Sequence, residues 1–166
     1  NTNSSNRPVA VSNLTGVVEA TAGAHTCARV ANGEVYCWGF NGHGAVGDGS
    51  SGQNNEVRSS PRRVQGLTDV SAIVAGDNHS CALLENRQVK CWGRNTSGEL
   101  GDNSYSQRTR PVLMFGIEDA IAIAASHRRT CVLRAQGTMV CTGLNDHGQL
   151  GDGLLSNRQM PFEVTA

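Results

Sequence analysis

The sequence predicts an all-β chain, a β-propeller segment of three four-stranded antiparallel blades. A motif that returns at offsets of 54 and then 50 residues predicts three like units. Six cysteines fall as one pair in each unit. Short runs rich in small and β-branched residues, punctuated by Gly, Asn and Asp, predict strands and tight turns.

The landmarks keep their phase throughout. Cys37-Trp38-Gly39-Phe40-Asn41 returns as Cys91-Trp92-Gly93-Arg94-Asn95 and, altered, as Cys141-Thr142-Gly143-Leu144-Asn145. Gly44, Gly98 and Gly148 follow, then Gly47-Asp48, Gly101-Asp102 and Gly151-Asp152. Prolines at 8, 61, 111 and 161 divide the chain into repeat 1 over 8–60, repeat 2 over 61–110 and repeat 3 over 111–160. Residues 161–166 then begin a further repeat or supply a closing strand. In the second unit the runs 70–75, 80–84 and 88–93, with a shorter run near Val64, give about four strands, the number in a propeller blade. A solenoid or a tandem of β-sandwiches is the alternative for a β repeat of this length.

Composition suits thin layers. Twenty glycines stand against three Phe, two Tyr and two Trp, too few large side chains for one thick core. Fourteen basic and fourteen acidic residues balance, so no overall field recruits nucleic acid or an anionic membrane. Lys90 is the single lysine, which removes most candidates for a Schiff base. No apolar run approaches the roughly 18 residues of a membrane helix, so no membrane insertion is expected.

Cys27 and Cys37, Cys81 and Cys91, and Cys131 and Cys141 share one spacing. Spacing alone leaves 15 connectivities for six cysteines. Repetition selects pairing within each unit: a three-residue hairpin loop centred at Asn32, Asn86 or Gln136 sets the two cysteines directly opposite. Such loops end on a left-handed residue, which Gly33 and Gly137 supply and Arg87 does not, implying strain or a different turn in unit two. The competing reading is a metal centre, but closely spaced C-x2-C ligands are absent. Persistent disulfides place the protein in an oxidising compartment, secreted or extracellular. Asn-x-Ser/Thr triplets at Asn3, Asn13, Asn78 and Asn95 matter only in a eukaryotic secretory route.

The second unit, through Val70, Ile73, Ala75, Gly76, His79, Ala82, Leu83, Val89, Trp92, Gly93, Asn95, Gly98, Leu100 and Gly101, resembles the RCC1 repeat. Unit one keeps His25, Trp38, Gly39, Asn41, Gly44 and Gly47, and unit three departs with Ser126, Arg129 and Thr142. The resemblance covers residues 8–160. It implies a propeller, commonly of seven blades, that works by presenting loops to a partner. Known roles include nucleotide exchange on a small GTPase, chromatin docking and secreted inhibition of β-lactamases by BLIP-II-like proteins. The cysteine pair is not general to that family and looks like the variant in exported bacterial proteins. Three units cannot close a ring, so the expectation is a longer parent chain, or identical chains completing the ring.

His25 and His79 share one repeat position and read as hydrogen-bonded packing residues. Asp48, Asp102 and Asp152 read as turn residues bonding nearby amides. The common sequence-local catalytic signatures are absent, so no catalytic residue, metal or cofactor is assigned. The functional lead is variation within the repeat. Phe40, Arg94 and Leu144 differ wholly while their neighbours repeat, His43 and His147 stand near a Gly-rich turn, and an insertion over 49–60 exists in unit one. Loops are where such scaffolds carry binding residues. The expected function is a secreted, non-enzymatic protein-interaction module, with a carbohydrate-binding propeller lectin as the alternative class.

Overall fold

A computed structural model describes residues 6–50 and 56–164 of the chain. Among them there is no helix, and twelve strands form three four-stranded antiparallel sheets. The first holds β1 (Val17–Ala22), β2 (His25–Val30), β3 (Val35–Phe40) and β4 (Val57–Arg63). The second holds β5 (Val70–Ala75), β6 (His79–Leu84), β7 (Val89–Gly93) and β8 (Arg108–Leu113). The third holds β9 (Ala120–Ser126), β10 (Arg129–Arg134), β11 (Met139–Gly143) and β12 (Arg158–Glu163). Strands follow chain order within each sheet, and the first strands lie side by side, β5 against both β1 and β9. These are blades fanned about a common axis, with β4, β8 and β12 at the outer rim.

Local chemistry sets each hairpin. Between β2 and β3, Gly33 takes φ 82° and its N–H bonds the Val30 carbonyl at 2.9 Å. Arg87 occupies the same left-handed well, at φ 65°, with the same 2.9 Å bond to Leu84. The middle blade therefore keeps the turn and accepts the strain. This register sets Cys27 opposite Cys37, Cys81 opposite Cys91 and Cys131 opposite Cys141, each pair bridged with Cα atoms 4.1 Å apart. Pro61, Pro111 and Pro161 lie within the outer strands, where a missing N–H costs little pairing. Proline-to-proline units thus begin inside each outer strand, and each sheet closes before the six-residue crossover to the next. Val64 stands just past β4 and not within a strand; its N–H bonds the Val35 carbonyl at 2.9 Å.

The core lies between blades. Val35, Val46, Leu67, Val70, Leu84 and Trp92 fill the first seam. Leu83, Val89, Leu100, Ile117, Val132 and Val140 fill the second. Trp92 is fully buried against blade one, its Nε1 donating to the Ala45 carbonyl at 2.8 Å. Over Gly47, a Cβ would come within 2.7 Å of Trp92 and 2.9 Å of Val64. At the equivalent Gly101 the neighbours are Thr142 and Met114, at 3.1 and 3.0 Å. The longer Met114 thus offsets the loss of indole volume at Thr142. Thr142 Oγ1 lies 2.6 Å from the Arg158 carbonyl in its own blade and 2.8 Å from the Gly98 carbonyl across the seam, so its one proton is shared between the two.

Candidate functional site

β1 and β3 run the same way, so the β1–β2 turn and the β3–β4 loop emerge together at one end of a blade. The same holds in the other two sheets. Phe40, His43, Arg94, Leu144 and His147 all therefore lie at one end of the arc, at three successive corners. Phe40 is half-buried and meets His43 edge-on, with ring centroids 6.4 Å apart. Leu144 is half-buried, and exposed His147 bonds Asp146 through Nδ1 at 2.8 Å. The corners present these residues in a row, blade by blade. Of the 49–60 insertion, residues 51–55 lie outside the described residues.

Beneath the row the scaffold repeats closely. Asn41, Asn95 and Asn145 are fully buried, and their Oδ1 atoms accept from Val46, Leu100 and Leu150 amides at 3.0, 3.0 and 2.9 Å. Asp48, Asp102 and Asp152 accept from amides two residues on at 3.0, 3.1 and 3.1 Å, the Asx turn expected of them. Their other oxygens accept Arg58, Arg108 and Arg158 Nε at 2.7, 2.8 and 2.6 Å. Burial alone opposes ionisation of these carboxyls, yet guanidinium and amide donors, with a serine hydroxyl at Asp48 and Asp102, outweigh it and hold all three below the usual Asp range. The arginine partners escaped the sequence reading. Their signal was an arginine three residues before each of Pro61, Pro111 and Pro161.

His25 and His79 are buried at the seams. His25 Nε2 lies 2.6 Å from Ser80 Oγ, and Ser80 donates to the Ala45 carbonyl. A hydroxyl has one proton, so the imidazole Nε2–H is the donor. His79 repeats the relay through Thr130 to the Glu99 carbonyl. Burial pushes both imidazoles down to about 4, so both are neutral near pH 7. Each ties its blade to the next and faces no open site.

Arg94 is not isolated. It converges with Arg128, from the β9–β10 turn, on Thr96 Oγ1, which accepts Arg94 Nε and Arg128 Nη2, both at 2.9 Å. Below them Glu99 has no exposed side-chain surface, and its Oε1 sits 3.6 Å from Arg94 Nε and 3.5 Å from Arg128 Nε. The sequence reading found Arg94 alone. Its partners sit at non-equivalent repeat positions, so no periodic pattern joined them. Among the described residues, no three His, Cys, Asp or Glu side chains are grouped to hold a metal ion. Of the glycosylation triplets, Asn3 lies outside the described residues and Asn95 is buried with its Nδ2 bonded to Asp102 at 2.9 Å.

The regulator of chromosome condensation (RCC1) repeat matches residues 32–83, and a second form of the same repeat matches 70–99 and 120–149. The human E3 ubiquitin-protein ligase HERC2 is 37% identical over 112 residues, 64% of this chain and 2% of that protein. The mouse regulator of chromosome condensation is 37% identical over 98 residues, 57% of this chain and 23% of that protein. The crystal structure of Prp20p from Saccharomyces cerevisiae superposes with a TM-score of 0.82 at 18% identity, covering 93% of this chain and 39% of that one. The chain thus spans under a quarter of these curated relatives and about two fifths of the Prp20p chain.

Proposed function

Because the chain belongs to the RCC1-repeat family, we propose that it is a protein-binding module that presents its β3–β4 corner end to a partner and performs no chemistry of its own. One observation carries this reading. The Asn–amide bonds under the three corners agree within 0.1 Å, while the residues they hold up are Phe40, Arg94 and Leu144. A fixed frame bearing unlike side chains is the arrangement of a recognition surface. Among the similar proteins, Prp20p is described by its binding to Gsp1p and histones, which supports a protein partner.

The three blade disulfides support an oxidising compartment, hence a secreted or extracellular protein. Further blades, in the same polypeptide or in a second copy, cover the lateral faces that this arc leaves open. Crosslinking in native material followed by affinity capture tests the reading. The wild-type chain should recover a protein that Phe40→Ser and Leu144→Ser variants recover poorly. Equal recovery by those variants, or none by the wild type, removes it.

A further inference from the structure

Two guanidiniums from consecutive blades converge at the second seam over a buried carboxylate. We propose that Arg94 and Arg128 form a carboxylate clasp, a docking point for an Asp or Glu side chain of the protein partner. The proposal rests on the protein-binding reading and names the chemistry the partner brings.

The first support is that the trio is an addition to the scaffold. At the first seam the equivalent positions hold Phe40, Asn78 and Ala45, none of them charged. Gln149 at the third equivalent of Glu99 again shows that the repeat needs no acid at this place.

The second is preorganisation. Glu99 Oε2 accepts the Ser97 amide at 2.7 Å, which fixes the carboxylate, while Oε1 is buried without a hydrogen-bond partner. A carboxylate shut inside a seam must be compensated by nearby positive charge. Both guanidiniums are held to it, and Thr96 Oγ1 clips them together from above. They remain open to solvent, with side chains 26% and 24% exposed. Among the described residues no hydrogen bond engages the Nη atoms of Arg94, so its outer fork is available. A planar fork matches a carboxylate by paired N–H donors.

The third is charge. Two guanidiniums over one carboxylate leave a single positive charge at the mouth, which one incoming carboxylate neutralises. A phosphate dianion would overcompensate it and face Glu99 besides. The half-exposed carboxylate of Asp77 keeps its own charge and is held apart by the hydrogen bond from His127 Nδ1 at 2.7 Å, so the single excess charge is that of the Arg94, Arg128 and Glu99 trio.

The test is a titration of the isotope-labelled full chain at low ionic strength with end-blocked hexaglutamate, followed at the Nε–H resonances of Arg94 and Arg128. Hexaglutamine and inorganic sulfate are the comparison arms. Hexaglutamate should shift both resonances saturably and hexaglutamine should shift neither. Arg94→Gln and Arg128→Gln should each weaken the peptide by about tenfold, the scale of one charge-assisted hydrogen bond. Unmoved resonances, shifts with sulfate alone, or undiminished binding in both variants overturn the clasp. Should a Gln variant fail to fold, the wild-type resonances decide by themselves. Native capture separates the two readings. A partner recovered equally by wild type, Arg94→Gln and Arg128→Gln sinks the clasp and leaves protein binding standing. No partner for the wild type sinks protein binding, and the titration still judges the clasp.

Discussion

Arg87 holds a left-handed backbone that its two counterparts give to glycine. That conformation costs a residue with a Cβ roughly 1–2 kcal/mol, partly offset by the greater unfolded freedom of Gly. Arg87→Gly is expected to stabilise the chain by about 0.5–1 kcal/mol, read as a raised urea midpoint at unchanged slope. The seam histidines act in the opposite direction as pH falls. Their folded values, about 4, lie below the ordinary 6.5, so the unfolded chain takes up protons that the folded chain refuses. Stability from this source is complete above about 6.5, declines between about 6.5 and 4, and changes no further below. Each imidazole contributes up to about 3 kcal/mol to the decline. Urea midpoints between pH 7 and pH 4 should fall, and His79→Gln should flatten the curve; a flat wild-type profile contradicts buried neutral imidazoles. The three Asp carboxyls, held below their usual value, lose stability only at still lower pH. At this scale the sequence displayed Arg87, His25 and Asp48 plainly, because each sits at a repeated position. The structure decides between the two alternatives at Arg87 in favour of the strained turn, and the clasp around Arg94 was not legible because its members sit at non-equivalent repeat positions.

At the scale of the element, each blade is a thin sheet whose second and third strands are stapled at their middle. A disulfide closing so short a loop is worth about 2–3 kcal/mol, and replacing Cys27 and Cys37 together by Ala should lower stability by that amount. Trypsin cuts after Arg29, Arg87 and Arg134, between the cysteines of every pair, so a non-reduced digest should show three linked peptide pairs and no others. The hairpins were legible because turn, register and cysteine lie within a dozen residues of one another. The outer strands were less so. The repeat's prolines mark the middle of β4, β8 and β12 but read as boundaries, and the strand expected near Val64 ends at Arg63. Sequence showed Thr142 only as a departure from the repeat, because the Met114 that offsets it belongs to a different part of the unit.

For the whole molecule, burial is a property of seams. Leu83 and Val89, covered by blade three, are 7% and 0% exposed, while the equivalent Leu133 and Met139 are 37% and 42% exposed on the far side. Trp92 is fully buried and Trp38, which no preceding blade covers among the described residues, is half-buried. Each blade shields the next, which is how few aromatics suffice and why a repeat of small residues folds. Repetition in the sequence displayed this architecture at once. It left silent which end of the arc meets a partner, because that depends on strand direction across three sheets. The most direct measurement places a photo-crosslinking side chain at Leu144 on the corner end and, in a separate chain, at Gln136 on the hairpin end, in native material. Partner adducts should form from position 144 and not from 136. Adducts from 136 alone, or equal adducts from both, would contradict the assignment of the binding face.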